Sequence, residues 1–158
     1  MIIQPTLPGG FVIFCDDIRE EVNGKFTFVG TYAGEMTIFG AAPVILPKIC
    51  VAVRLRVNPA ALPQHIVFKI TKETEQDSDT LLEAPLDAPA PPEQFKFPEN
   101  IGGDGFKFIE IGFNTELVGI TFPDISTIRV RALIGEDELR VGALTVKVAA
   151  PVQVESPV

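Results

Sequence analysis

A chain of 158 residues, 46% apolar and 22% charged, is long enough for one domain with a real core and too apolar to be disordered. Its 21 acidic against 13 basic residues leave a net charge of −8, which argues against nucleic acid and anionic membranes as partners, because both call for a basic face. The apolar runs fall far short of the roughly 20 residues a spanning helix needs, and MIIQPTLPGGFVIF has no basic region ahead of its apolar stretch, so neither a membrane span nor a signal peptide is expected and the location reads as cytoplasmic.

Two strand-like runs open the chain, Phe11–Cys15 and Phe26–Tyr32, around a charged connection that holds Asp16, Asp17, Arg19, Glu20 and Glu21. Asn23-Gly24 ends that connection, and Asn-Gly is a strong hairpin signal because both turn residues tolerate positive φ. The expected hairpin sends Phe11, Phe14, Phe26 and Phe28 into one core. A two-residue turn would set Arg19 opposite Phe28, which mixes charges with aromatics on one face. Either a bulge near Asp16-Asp17 or a short helical turn capped by Asp17 would repair the pattern.

A short strand is expected over Glu35–Phe39. The cleanest strand is Lys48–Asn58, in which Ile49, Val51, Val53, Leu55 and Val57 face the core while Lys48, Cys50, Ala52, Arg54 and Arg56 face solvent. In His65–Thr74, Ile66, Phe68 and Ile70 alternate in the same way. Residues 76–105 hold five prolines and three glycines, and read as a long crossover with one short strand at Thr80–Ala84. Phe106–Phe113, Ile125–Ile134 and Leu139–Val148 close the fold, the last two as a hairpin with Ile128, Val130 and Ala132 inward. No run repeats at helical spacing. The expectation is an all-β, antiparallel β-sandwich of about eight strands, immunoglobulin-like or C2-like, over residues 1–150, with 151–158 a frayed tail.

Phe14-Cys15-Asp16-Asp17, Gly24-Lys25, Val29-Gly30-Thr31-Tyr32 and Pro47 before a long strand resemble a family of uncharacterised bacterial proteins. Members share a hydrophobic strand ending in Cys-Asp, a Gly-Lys turn and a strand carrying Gly-x-Tyr or Gly-x-Phe. The resemblance covers roughly the first 60 residues. It implies a small all-β domain and supplies no catalytic residues.

The chemistry on offer is thin. The single histidine, His65, and three serines come with no nucleophile elbow. Cys15 and Cys50 lie inside strands and read as inert buried thiols in a reducing compartment, with a disulfide as the alternative. One His and two Cys are too few for a zinc site. Gly102-Gly103-Asp104-Gly105 lacks the Lys-Ser/Thr of a phosphate loop. Asp16, Asp17, Glu20 and Glu21 are the candidate metal residues, with Asp124 or Asp137 as helpers for Ca²⁺, although calcium asks for six to eight oxygens. Arg54, Arg56, Arg129 and Arg131 form two R-x-R rows, expected to be neutralised near Glu110 or Glu35, or else to form an anion patch. The reading is a non-enzymatic module, without catalytic residues or a cofactor, that binds a protein partner or itself as a homodimer. The alternative is a calcium- or small-ligand-binding sandwich that uses the acidic hairpin.

Overall fold

The computed structural model describes residues 6–87 and 108–151. The chain is all-β, and the described residues form nine strands: β1 (Gly9–Glu21), β2 (Lys25–Tyr32), β3 (Glu35–Phe39), β4 (Val44–Val57), β5 (His65–Glu73), β6 (Ser78–Asp87), β7 (Ile109–Phe122), β8 (Ser126–Ile134) and β9 (Asp137–Ala149). One sheet has the order β2-β1-β4-β7 and the other β3-β9-β8-β5-β6. Among the described residues no helix is long and apolar enough to cross a membrane.

The period-two rows of the sequence become the core. Ile49, Val51, Val53, Leu55 and Val57 are buried on β4, as are Ile66, Phe68 and Ile70 on β5 and Ile128, Val130 and Ala132 on β8. Side chains from both sheets form one apolar cluster, and the rings of Phe68 on β5 and Phe113 on β7 meet edge-on at 5.2 Å. Each such side chain contributes roughly 1.5–3 kcal/mol by leaving water. The second hairpin is tighter than the four-residue turn expected, since Ile134 already pairs with Asp137.

Several expectations need correction. β3 pairs with β9 in parallel, so the larger sheet is mixed. Within 76–105, the strand is longer than Thr80–Ala84: β6 runs over Ser78–Asp87 and carries Pro85, which an edge strand tolerates because one row of its backbone donors needs no partner. The segment 88–107 and the tail 152–158 lie outside the described residues. β7 continues nine residues beyond Phe113, to Phe122.

The first hairpin takes neither of the two repairs considered. Its connection has three residues, with Glu21 opposite Lys25 and with Asn23 and Gly24 at φ 68° and 69°. The extra loop residue slides the register by one, so that Ile18 rather than Arg19 faces Phe28. Of the four phenylalanines only Phe14 enters the core; Phe11 and Phe26 are 38% and 42% exposed, and Phe28 is half-buried.

Their displacement has a geometric cause. β1 pairs with β4 only as far as Cys15 opposite Cys50. Arg54 sits across from Phe11, and Phe26 sits across from Glu20, nine positions further along β1. In a straight strand that separation would be roughly 30 Å. The Arg54 guanidinium nonetheless lies 6.0 Å from the Phe26 ring. Beyond Cys15 the β1–β2 pair therefore turns back over the outward face of β4. Burial agrees: Cys50 and Ala52 on that face are fully buried, and the Arg54 side chain is only 17% exposed. The face expected to meet solvent is covered by the chain's own hairpin.

Gly30 makes the bend. It holds φ +66°, where a side chain is strained, and a Cβ there would collide with the Asp16 carboxylate.

Candidate functional site

The bend gathers residues from three strands. Asp16 accepts a hydrogen bond from the Tyr32 hydroxyl. Asp17 turns to other partners: it accepts from Lys48 Nζ at 3.0 Å and from Arg19 Nε at 3.2 Å. Lys48 also lies 3.7 Å from Glu116 of β7. Beneath them, the Cys15 thiol donates to the Asp17 carbonyl at 3.4 Å and the Cys50 thiol to the Asp16 carbonyl at 3.6 Å. Both cysteines are free and buried, so the hinge backbone is tied down partly by sulphur.

The electrostatics follow from these contacts. The hydrogen bond from Lys48, then that from Arg19, holds the Asp17 carboxyl below the usual range, and the same bond pushes the Lys48 ammonium up. Burial raises the Cys15 thiol, with the neighbouring Cys50 adding to it. Burial likewise raises Cys50. Protonated, covered thiols are poor nucleophiles. Burial and the bond to Asp16 push the Tyr32 phenol up to about 12.

This last shift is testable. Above pH 10 the unfolded chain releases the tyrosine proton while the folded chain holds it, so rising pH favours unfolding until the folded group also ionises near pH 12. Melting measured from pH 9.5 upward should show a loss of stability that Tyr32→Phe reduces, the raised Cys15, Cys50 and Lys48 accounting for the remainder. Equal alkaline slopes for the two proteins would detach the phenol from the hinge.

Of the four carboxylates picked from the sequence, only Asp17 joins a group of possible metal ligands among the described residues, alongside Cys50 and Glu116, with ligand atoms within 4.8 Å of one another. Asp16 is directed to Tyr32, while Glu20 and Glu21 lie exposed near the hairpin end, opposite Phe26 and Lys25. Two oxygens and a sulphur fall well short of a calcium shell, and Lys48 already places a positive charge between the two carboxylates. Sequence reasoning overlooked Lys48, Cys50 and Glu116 as neighbours of Asp17. The available signal was the shared outward parity of Lys48 and Cys50 on β4.

The R-x-R rows belong to different sheets. Arg56 meets Glu110 at 3.1 Å, with Arg54 3.9 Å from the same carboxylate. Arg56 also lies over the rings of Phe11 and Phe108, at 5.4 and 4.7 Å. Arg129 and Arg131 meet Glu73 at 2.6 and 2.7 Å. Burial raises the Glu73 carboxyl, but hydrogen bonds from Arg131 and Arg129 outweigh it and leave the group below its ordinary value. Glu110 is thus the neutraliser expected, while Glu35 pairs with Lys147 instead.

His65 faces Asp87 at 3.2 Å at one end of β5. Ser126, whose hydroxyl donates to the Asp124 carbonyl, lies at the far end of the β5–β8 ladder, so a Ser-His pair does not form.

No curated protein sequence matches the chain. A family model described as a family of unknown function, DUF6941, matches residues 10–147, and the chain belongs to that family.

Proposed function

We propose that the chain is a non-enzymatic β-sandwich module, of the immunoglobulin-like or C2-like kind, that acts by binding protein, and that its first partner is a second copy of itself. The observation that carries this reading is β7. It is 14 residues long and forms an edge of the four-stranded sheet, and among the described residues it has no strand on its outer side. A long free edge offers a row of backbone donors and acceptors to another strand. Two β7 edges related by a two-fold axis pair antiparallel with no further requirement, which is the commonest closed arrangement.

Exposed apolar side chains support the same surface. Val118 on β7 and Ile45 on the adjoining β4 are 69% and 63% exposed. Phe39 and Ile125, 63% and 58% exposed, lie at the same end of the molecule, where β3 leads into β4 and β7 into β8. By contrast Phe11 and Phe26 carry guanidinium groups over their rings.

Light scattering at micromolar concentration should give about twice the 17.1 kDa chain mass. Val118→Lys combined with Ile45→Lys should return it to the monomer with melting unchanged, since neither side chain packs in the core. A 17.1 kDa species alone, or a dimer that tolerates both lysines, would remove this edge as the contact.

A further inference from the structure

We infer that the outward face of the five-stranded sheet carries a binding site for a small oxyanion, a phosphate group or a carboxylate, built by Arg129, Arg131 and Arg140. These three arginines, with Val130, Gly142 and Ala143, line a depression of about 230 Å³. Clefts for drug-sized ligands run to about 300–1,000 Å³. This one is smaller and suits a single anionic group.

Arg140 reaches this face through an irregularity in β9. Counting back by twos from the buried Leu144 through Gly142, strict alternation would turn Arg140 into the core. The β8–β9 register shifts instead: Val130 faces Gly142, but Arg131 faces Arg140, leaving Val141 as the extra residue. A bulge of this kind re-aims the side chain beside it, and bulges are over-represented next to active sites. Here it brings a third guanidinium beside Arg129 and Arg131.

Among the described residues the resulting arrangement holds more cations than carboxylates. Arg140 lies directly opposite Arg131, and Lys69 lies directly opposite Arg131 on the other side. Three cations therefore stand in a row across β5, β8 and β9, with Glu83 of β6 opposite Lys69 at the far end, and like charges opposed across a ladder repel. Each nitrogen of Arg131 already has a partner: Thr71 Oγ1 at 2.9 Å, Glu73 at 2.7 Å and Glu138 at 3.1 Å. Arg129 uses Nε on Glu73, and its two terminal nitrogens have no partner among the described residues. Arg140 and Lys69 make no ion pair or hydrogen bond among the described residues. Around the depression, three guanidiniums meet two carboxylates, Glu73 and Glu138. The balance is positive on a chain whose total is −8.

An oxyanion in the depression would take charge-assisted hydrogen bonds from Arg140 and from the free end of Arg129, with Arg131 as a fixed charge behind them. It would also relieve the repulsion along the row. Glu73 sets the scaffold by holding Arg129 and Arg131 apart.

The test is the melting temperature of the full chain titrated with inorganic phosphate, with citrate and with chloride, all at matched ionic strength. A ligand that binds only the folded state must raise it. Phosphate or citrate should raise it where chloride does not, and the stronger of the two names the group. Arg140→Gln should weaken that response by about tenfold, the scale of one charge-assisted contact, while Arg140→Lys should keep part of it. Arg140 is exposed and has no partner among the described residues, so melting of both variants in chloride should match wild type. The inference fails if chloride reproduces the shift, if no anion produces one, or if Arg140→Gln responds as wild type does.

Discussion

Val53→Asp is expected to leave no cooperative unfolding transition at room temperature. Val53 sits at the middle of β4, fully buried, with Val12 of β1 on one side and Phe113 of β7 on the other. The core around it is apolar on both sheets. A carboxylate there loses its hydration and finds no partner, and a group in that position either stays protonated or unfolds the chain. The loss should exceed ~4 kcal/mol, a large part of the 5–15 kcal/mol that holds a typical domain together. Circular dichroism on heating is sufficient to check it. A sharp transition near the wild-type temperature would show that Val53 faces outward.

Gly112→Ala should be nearly as damaging, although it adds one methyl group. Gly112 lies opposite Arg54 in the β4–β7 ladder. A Cβ at this position would press into the Val53 carbonyl oxygen and crowd its carbon at 3.0 Å. Both atoms are backbone in a central strand, so relief requires the ladder itself to separate. Arg54 depends on the same spot: its Nη1 donates to the Val53 and Phe113 carbonyls at 2.8 and 3.2 Å, and its Nη2 to Asn114 at 2.9 Å. We expect a loss of about 3 kcal/mol or more, on the scale of severe overpacking, measured by urea denaturation. A change below ~1 kcal/mol would mean that β7 gives way easily at this point.

What was legible in the sequence was whatever obeys strict alternation. β3, the inner row of β4, and the inward residues of β5 and β8 follow a period of two without interruption, and the structure places them as expected. What was not legible lies where alternation breaks. Phe26 and Phe28 looked like core because β-propensity says nothing of a strand pair bending at Gly30 to cover its own sheet. The length of β7 was hidden by Asn114, Thr115 and Glu116, a polar run in mid-strand in which Thr115 takes the inward position opposite Val51. Pro85 made the strand expected at Thr80–Ala84 look finished, although β6 runs on to Asp87, because a proline on a free edge cannot be told from one in a turn until the edge is known.

The candidate sites showed only in part, through Asp17 and through Arg129 and Arg131, for the same reason. Asp17, Lys48 and Glu116 come from three strands and are joined only by the register of β4. Arg140 has the wrong parity for the face it occupies, and a one-residue bulge leaves no mark in composition. The acid run at Asp16 to Glu21 was conspicuous in one dimension, yet the fold distributes those carboxylates among unlike partners.

The bend at Gly30 carries a consequence for how this chain can change over generations. Asp16 fills the space that a side chain at position 30 would need, and Tyr32 holds Asp16 there. Substitutions at such touching positions are not additive. A methyl group at position 30 is penalised twice, by its backbone conformation and by the carboxylate. In a background where Asp16 has already become smaller, the second penalty is gone. The order in which the three positions are replaced therefore decides which intermediates fold, and a lineage that keeps the bend is steered along few mutational routes.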